Sequence, residues 1–375
     1  MTVSYWLDEE GPAFPVASTD PVDVAIVGGG VTGCSAALAL AEAGLRVRVH
    51  DEREIADGAS GRNGGFALRG VAAPYDVLVA SLGRKTAAEI WRWTEDEIEV
   101  LAGLAGDSFR QLGSLRLAVD AEERDELRAE VEALWADGIE TEWIDRPGGV
   151  LEGRYSAGLR HPPDGALQPG RWVRRLAALA VAAGAEMAPR QRVTSLDALA
   201  ADVVLIATDG YPSGLLGELE GLIVPTRGQV IATEPIAERL FEVPHYGRHG
   251  FDYWHQTWDG RIVAGGFRDV ALEYELTSEE ALTPAVQVAL EGFVNGLVGR
   301  DLRIDYRWAG IFGLVLDFLP VVGRVPGGDG LWVAGGYSGH GNVLGFACGR
   351  LVARAIQGDR DPLLDVFEPE RLLVA

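Results

Sequence analysis

Three glycines, Gly28, Gly30 and Gly33, stand at G-x-G-x-x-G spacing in "VDVAIVGGGVTGCSAALALAEAGLRVRVHDE", and the carboxylate of Asp51 follows about 20 residues later. That combination handles a dinucleotide. Such glycines permit a tight turn, let backbone approach a pyrophosphate and let helix pack closely on strand, while free N–H groups at the helix start face the phosphates. Asp51 stands where a ribose hydroxyl would donate to it, which selects a ribose without a 2′-phosphate. Near the other end, "GGYSGHGN" puts Gly335, Gly336, Gly339 and Gly341 in a loop before an apolar helix, a second exposed helix start able to stabilise negative charge.

The rest of the reactive inventory excludes several chemistries. Lys85 is the only lysine and lies in a polar helical stretch, which leaves Schiff-base chemistry one poorly placed group. The six histidines form no H-E-x-x-H pattern and no G-x-S-x-G elbow occurs, so metal hydrolysis and acyl transfer lack their residues and no metal site is expected. The chemistry must come from a bound cofactor. Cys34 and Cys348 both fall in apolar helices and read as packed thiols. With 56 acidic against 33 basic residues the formal charge is −23, which disfavours nucleic acid and anionic membranes. The first 20 residues hold no Lys or Arg and no apolar core, and no apolar run reaches membrane-spanning length, so a cytoplasmic chain without membrane insertion is expected.

The elements that must position these residues are readable in outline. Val22 to Val27 form a β-branched run, Ala36 to Ala43 a helix former, and Val47 to Val49 a second strand. Helical patterns at 84–105 and 121–137 read as part of a cap, "LQPGRWVRRLAALAVAAGAEM" as a helix from Trp172 to Ala183, and "ADVVLIATDG" as a buried strand ending at Thr208, Asp209 and Gly210. Strand ends of that kind line nucleotide crevices. "GQVIATEP", "FDYWHQ" and "WDGRIVAGGF" alternate as antiparallel strands, the last two joined at Trp258-Asp259-Gly260. The fold class is α/β: a Rossmann-like domain of residues 1–75, 150–215 and 311–375, interleaved with an α+β substrate or cap domain of 76–149 and 216–310 built on an antiparallel sheet.

The opening "SYWLDEE", the fingerprint ending in Asp51, "GASGRNGG" at Gly58 to Gly65, "ATDGY", "PTRGQVIATEP", "DFLPVVG" and "GGYSGHG" run in order along nearly the whole chain. Together they resemble FAD-dependent amine and amino-acid oxidoreductases of the D-amino-acid oxidase superfamily, most of all the gamma-glutamylputrescine oxidoreductase branch. The resemblance implies FAD and hydride loss from a C–N bond. Carried over by motif, it implies Gly28, Gly30, Val31, Thr32 and Gly33 at the pyrophosphate and Asp51 with Glu52 at the adenosine ribose. It implies Ser60, Asn63, Gly64 and Gly65 along the phosphates and flavin ring and Val193 beside the adenine, while Thr208 is placed in the crevice by its strand end alone. Gly336, Tyr337, Gly339, His340, Gly341 and Asn342 would meet the flavin's carbonyl edge.

Departures from that pattern shape the expected substrate. Glycine-oxidase-like members carry a carboxylate-clamping Arg in a Gly-Leu-Arg-Pro stretch, where this chain has Phe312 in Gly310-Ile311-Phe312-Gly313. A bidentate Arg is the usual reader of a free α-carboxylate, so its loss favours an amine or N-substituted amine, with Arg268 and Arg62 as the residues able to replace it. Val263 stands where sarcosine-oxidase-like members have a flavin-side Lys, and no Cys precedes the late loop. Neither rapid oxygen activation nor covalent attachment of FAD is expected. The reaction expected is hydride transfer from the carbon beside a neutral amine to flavin N5, with hydrolysis of the imine. Tyr253, Trp254 and His255, with Arg268, Tyr337 and His340, are the candidate pocket residues: aromatic rings to hold a cationic amine and a base to take its proton. Alternatives are oxidation of a small amino acid of the glycine, sarcosine or D-amino-acid type, or a dehydrogenase passing electrons to a carrier protein. The partners are then a small amine and oxygen or another electron acceptor.

Overall fold

The computed structural model describes residues 3–373. Its first layer is a six-stranded sheet in the order Val321–Arg324, Leu331–Gly335, Ala201–Ile206, Val22–Val27, Val47–His50, Glu186–Ala188. All pairs are parallel except the first, as expected of apolar strands buried on both faces. Helices Val31–Glu42, Pro169–Ala182 and Gly341–Ile356 pack together on this sheet in one core with Val24, Ile26, Val49 and Leu205. The strand, turn and helix around the glycine triplet agree with the sequence reading, the helix beginning at Val31 straight after the turn.

The second layer is an eight-stranded sheet in the order Ile304–Leu314, Val224–Thr233, Ile262–Gly266, Asp252–Gln256, His245–Gly247, Ser114–Ala118, Ala157–His161, Glu142–Ile144. It is antiparallel except where His245–Gly247 runs parallel to Ser114–Ala118. Strand alternation divides its faces. Ile231, Trp254, Ile262 and Ala264 pack under helix Pro284–Val298, while Val230, Ala232, Val263 and Trp308 pack around Trp6 on the other face.

Two expectations about organisation need correction. Strand Ala157–His161, inside the stretch 150–215 expected with the nucleotide-binding part, pairs into the eight-stranded sheet, and Ile304–Leu314 runs across the expected boundary at 310. Helix Arg84–Ala105, expected in the cap, packs instead on Gly341–Ile356 and Pro169–Ala182, with Arg350 Nε 2.8 Å from Glu97 Oε2. Its apolar face, Ile90, Ile98 and Leu101, joins the same core from the outer side of those helices, a partnership that helical periodicity alone does not specify. Among the described residues no helix is long and apolar enough to cross a membrane.

Candidate active site

The glycine turn is locked by its neighbours. Gly28 has φ +116°, and a Cβ there would come 2.5 Å from the Ala207 carbonyl oxygen, so only glycine fits. Gly33 packs against the Gly28 carbonyl and lines neither of the two chambers beside the turn, which makes it a packing residue of the turn. Asp51 accepts from the Gly29 N–H through Oδ2 and from the Arg53 N–H through Oδ1, each at 2.7 Å. Burial pushes its pKa up to about 6 against the pull of those two donors. Ser60 Oγ accepts the Val31 N–H at 2.9 Å, tying the "GASGRNGG" segment to the helix start.

A cleft opens along this turn. Gly28, Gly30, Val31 and Thr32 line it together with Asp51, Glu52, Ser60, Val193 and Thr208, and with Tyr337 and Gly341 of the late loop. A second chamber lies between the two sheets. Ala59, Asn63, Phe312, Gly339 and Asn342 line both, so the chambers meet there. Asn63 and Asn342 exchange reciprocal amide bonds of 3.1 Å across that junction. Asn342 also donates to Phe66 O at 2.7 Å, and Asn63 Oδ1 accepts the Gly65 N–H at 2.8 Å.

The segment below the junction is held by its carbonyls. Ser4 Oγ donates to Gly61 O at 2.7 Å, Trp308 Nε1 to Arg62 O at 3.1 Å and Trp6 Nε1 to Asn63 O at 2.8 Å, while His255 Nε2 bonds Gly64 O at 2.9 Å. Four consecutive carbonyls are thus satisfied by side chains from one side. This corrects the expectation for His255, which is 1% exposed, stacks on Trp6 and lines neither chamber. It braces the segment, and burial lowers its pKa to about 4, so it is neutral. Trp254 points to the opposite face of its strand, into the core under helix Pro284–Val298. Gly65 likewise lines neither chamber and packs beside Trp6 and His255.

The late glycine loop is fixed by a residue that sequence reasoning left as a strand-end turn. Asp209, in the left-handed region at φ +50°, accepts the Gly336 N–H at 2.7 Å and the Gly313 N–H at 2.9 Å. Gly336 serves this clamp and lines neither chamber, while Tyr337 OH shares a 2.8 Å bond with Thr32 Oγ1. The only signal in the sequence was an Asp-Gly pair after a strand, which marks a tolerated left-handed position without naming its partners.

The second chamber gathers Tyr253, Arg268 and His340 with Phe66, Tyr246, Phe312 and Phe318. Tyr253 lies over Gly64 and Gly265; a Cβ at Gly64 would come 2.6 Å from its ring, and one at Gly265 would overlap it. Phe66 meets that ring edge-on at 5.6 Å. His340 caps helix Gly341–Ile356 with no partner for its buried Nδ1, and burial, with a lesser push from Arg116, lowers its pKa to about 4. That makes it a neutral hydrogen-bonding group and a poor proton acceptor near pH 7.

The family model described as DAO, FAD dependent oxidoreductase, matches residues 23–355. The chain belongs to this family. It is 27% identical over 404 residues to the probable oxidoreductase OrdL of Haemophilus influenzae, covering 97% of this chain and 90% of that protein. It is 30% identical over 368 residues to gamma-glutamylputrescine oxidoreductase of Escherichia coli, covering 90% and 84%. The solved structure of L-proline dehydrogenase from P. horikoshii shares the fold, with a TM-score of 0.79 at 21% identity over 95% of this chain and 98% of that one. As a DAO-family member the chain is an FAD-dependent oxidoreductase acting on C–N donors.

Around the expected DAO-family motifs the structure adds residues without a local signature. Arg53 stacks over the Tyr211 ring at 4.7 Å and bonds Glu280 at 2.6 Å, and Tyr211 donates to the same Glu280 oxygen at 2.5 Å. Arg53 and Tyr211 both line the first chamber. Their shared partner lies 227 positions along the chain from Arg53 and 69 from Tyr211, a pairing only the fold creates.

Proposed function

We propose that the first chamber holds FAD noncovalently and that the second receives a small amine or N-substituted amine, with the six-stranded layer as the FAD-binding domain and the eight-stranded layer as the substrate domain. The observation that carries this reading is the meeting of the two chambers at Asn63 and Asn342, which joins the cleft along the glycine turn to an aromatic chamber. The residues suit the cofactor. Gly30 has no room for a side chain, since a Cβ would come 2.8 Å from Ser60 Oγ, and the helix start beside it faces the cleft. Asp51 and Glu52 are placed for the ribose, and the late-loop helix start at Gly341 is placed for negative charge on the ring. Cys34 and Cys348 are both buried in helices and line neither chamber, which supports noncovalent binding.

When bound, FAD supplies the acceptor for a hydride leaving the carbon beside the substrate nitrogen. The protein's own part is to place that carbon and to exclude water. Tyr253, Phe66 and Phe312 offer ring surfaces to the amine, and the braced carbonyls of 61–64 fix the floor on which it rests. His340 presents Nδ1 or Nε2 as a neutral hydrogen-bond partner. The imine leaves for hydrolysis by water. Support for an amine without a free α-carboxylate comes from Phe312, which faces both chambers where the resemblance places an Arg clamp, and from a relative named gamma-glutamylputrescine oxidoreductase. The test is anaerobic mixing of the yellow protein with primary, secondary and N-acylated amines, and with glycine, sarcosine and D-alanine. Bleaching fastest with an amine supports the reading; bleaching fastest with one of those amino acids refutes the preference.

A further inference from the structure

Phe318, in the turn of "DFLPVVG", has φ +58°, a left-handed conformation in which a bulky aromatic residue is a genuine outlier. The turn is locked from both ends. Val315 and Leu319 are buried in separate apolar cores, and the Phe318 N–H donates to Val315 O at 3.1 Å. Asp317 Oδ1 accepts the Leu319 N–H at 3.0 Å, and Arg371 holds Asp317 at 2.8 Å and 3.3 Å and the Leu319 carbonyl at 3.0 Å. The Val315 N–H donates to Ser338 Oγ at 3.1 Å, which ties the turn to the late glycine loop.

Core packing does not account for this strain. Phe318 lies outside the buried cores, is 44% exposed, and meets no other aromatic ring among the described residues, yet it lines the second chamber. Its neighbour Leu316 is 93% exposed but lines neither chamber, so exposure in this turn is not by itself a mark of the site. Phe318 alone of the two joins strain, exposure and a place on the chamber wall. Strain of this kind persists where surrounding structure over-determines it, and it gathers at ligand sites. Glycine would take the same backbone conformation without a penalty, so the ring is there for what it touches. A rigidly held ring also has little freedom left to lose when a ligand covers it. We propose that the substrate amine carries an apolar group, alkyl or aromatic, that lies against the Phe318 ring, and that Phe318 thereby selects it over amines too small to reach. This rests on the second chamber being the substrate site and adds the class of substituent to it. Covering about 55 Å² of apolar surface is worth about 1.4 kcal/mol, a tenfold preference.

The experiment uses the FAD-loaded protein and amines that differ in apolar size. Anaerobic bleaching is followed with methylamine, butylamine, hexylamine and benzylamine, and binding of benzyl alcohol, which has no nitrogen to oxidise, is read from its perturbation of the flavin spectrum. The best of the larger amines should exceed methylamine about tenfold or more in rate per substrate concentration. In Phe318→Gly that ratio should fall about tenfold and benzyl alcohol should bind about tenfold more weakly, with part of both recovered in Phe318→Leu, FAD content being checked in each variant. Thermal melting separates this from a structural role. Glycine adopts φ +58° freely, so Phe318→Gly should melt within about 2 °C of the wild type or above it, whereas loss of a packing ring would lower the melting temperature further. A larger drop in melting temperature, wild-type selectivity in Phe318→Gly, or methylamine matching the larger amines in the wild type overturns the proposal. If no amine bleaches the flavin, the amine-oxidation reading has failed. Benzyl alcohol then still decides the role of Phe318, since equal affinity in the wild type and Phe318→Gly refutes it.

Discussion

Acidification should loosen FAD through a single carboxylate. Without ribose, Asp51 is bonded only to the N–H groups of Gly29 and Arg53, and burial raises its pKa from 3.8 to about 6. Ribose hydroxyls donate to the ionised form, so FAD binding must pull this pKa down and release a proton as pH falls below 6. The sign follows: affinity is full above about pH 7 and is lost as pH drops. If bound Asp51 returns to the ordinary 3.8, the protonated fraction weakens binding about tenfold between pH 7 and pH 5, or about 1.4 kcal/mol. The assay is quenching of FAD fluorescence by apoprotein at the two pH values, for the wild type and for Asp51→Asn. The variant should bind more weakly at pH 7 and lack most of the pH dependence. An equal slope in both proteins would show that Asp51 only supports the glycine turn.

Three further outcomes follow from the same geometry. Colour should move to the supernatant when the holoprotein is precipitated with acid, because no cysteine lines either chamber; colour kept in the pellet contradicts noncovalent binding. His255, with its pKa lowered to about 4 and its unfolded value near 6.5, gives full stability above pH 6.5 and loses it below. Urea unfolding at pH 7.5 and 5 should therefore show a fall about 2 kcal/mol larger in the wild type than in His255→Gln, which does not titrate; equal falls refute the assignment. Trp6→Phe leaves the Asn63 carbonyl without its 2.8 Å donor and should cost about 1–3 kcal/mol in unfolding measurements, with weakened FAD retention. Unchanged FAD retention in that variant would detach the amino-terminal segment from the site.

The sequence made the local parts of the site legible and missed those assembled from a distance. Gly28, Gly30 and Asp51 are recognisable because strand period, glycine spacing and turn chemistry act within about 20 residues, and the structure puts all three on one cleft. His255 was misjudged for a reason the strand itself explains. It shares a face with Tyr253, but the segment at Gly64 covers it while leaving Tyr253 open to the chamber. Trp6 and Ser4 belong to the opening "SYWLDEE", yet that they bond the carbonyls of Asn63 and Gly61 depends on a contact 57 positions apart. Asp209 needed three segments at once: its own strand end, Gly313 and Gly336. The allegiance of helix Arg84–Ala105 escaped for a similar reason, since an amphipathic stripe shows that a face is buried without saying against what.

The central claim is that the substrate loses a hydride from the carbon beside nitrogen while it lies in the aromatic chamber. Its most direct test is stopped-flow, anaerobic loss of flavin colour with the best amine found, compared with the same amine deuterated at that carbon. The account predicts single-turnover bleaching slowed several-fold by deuterium, and slowed in Tyr253→Leu, whose ring borders the reacting chamber. Bleaching at equal rates with both isotopologues, or no bleaching by any amine in a protein that holds FAD, would contradict it.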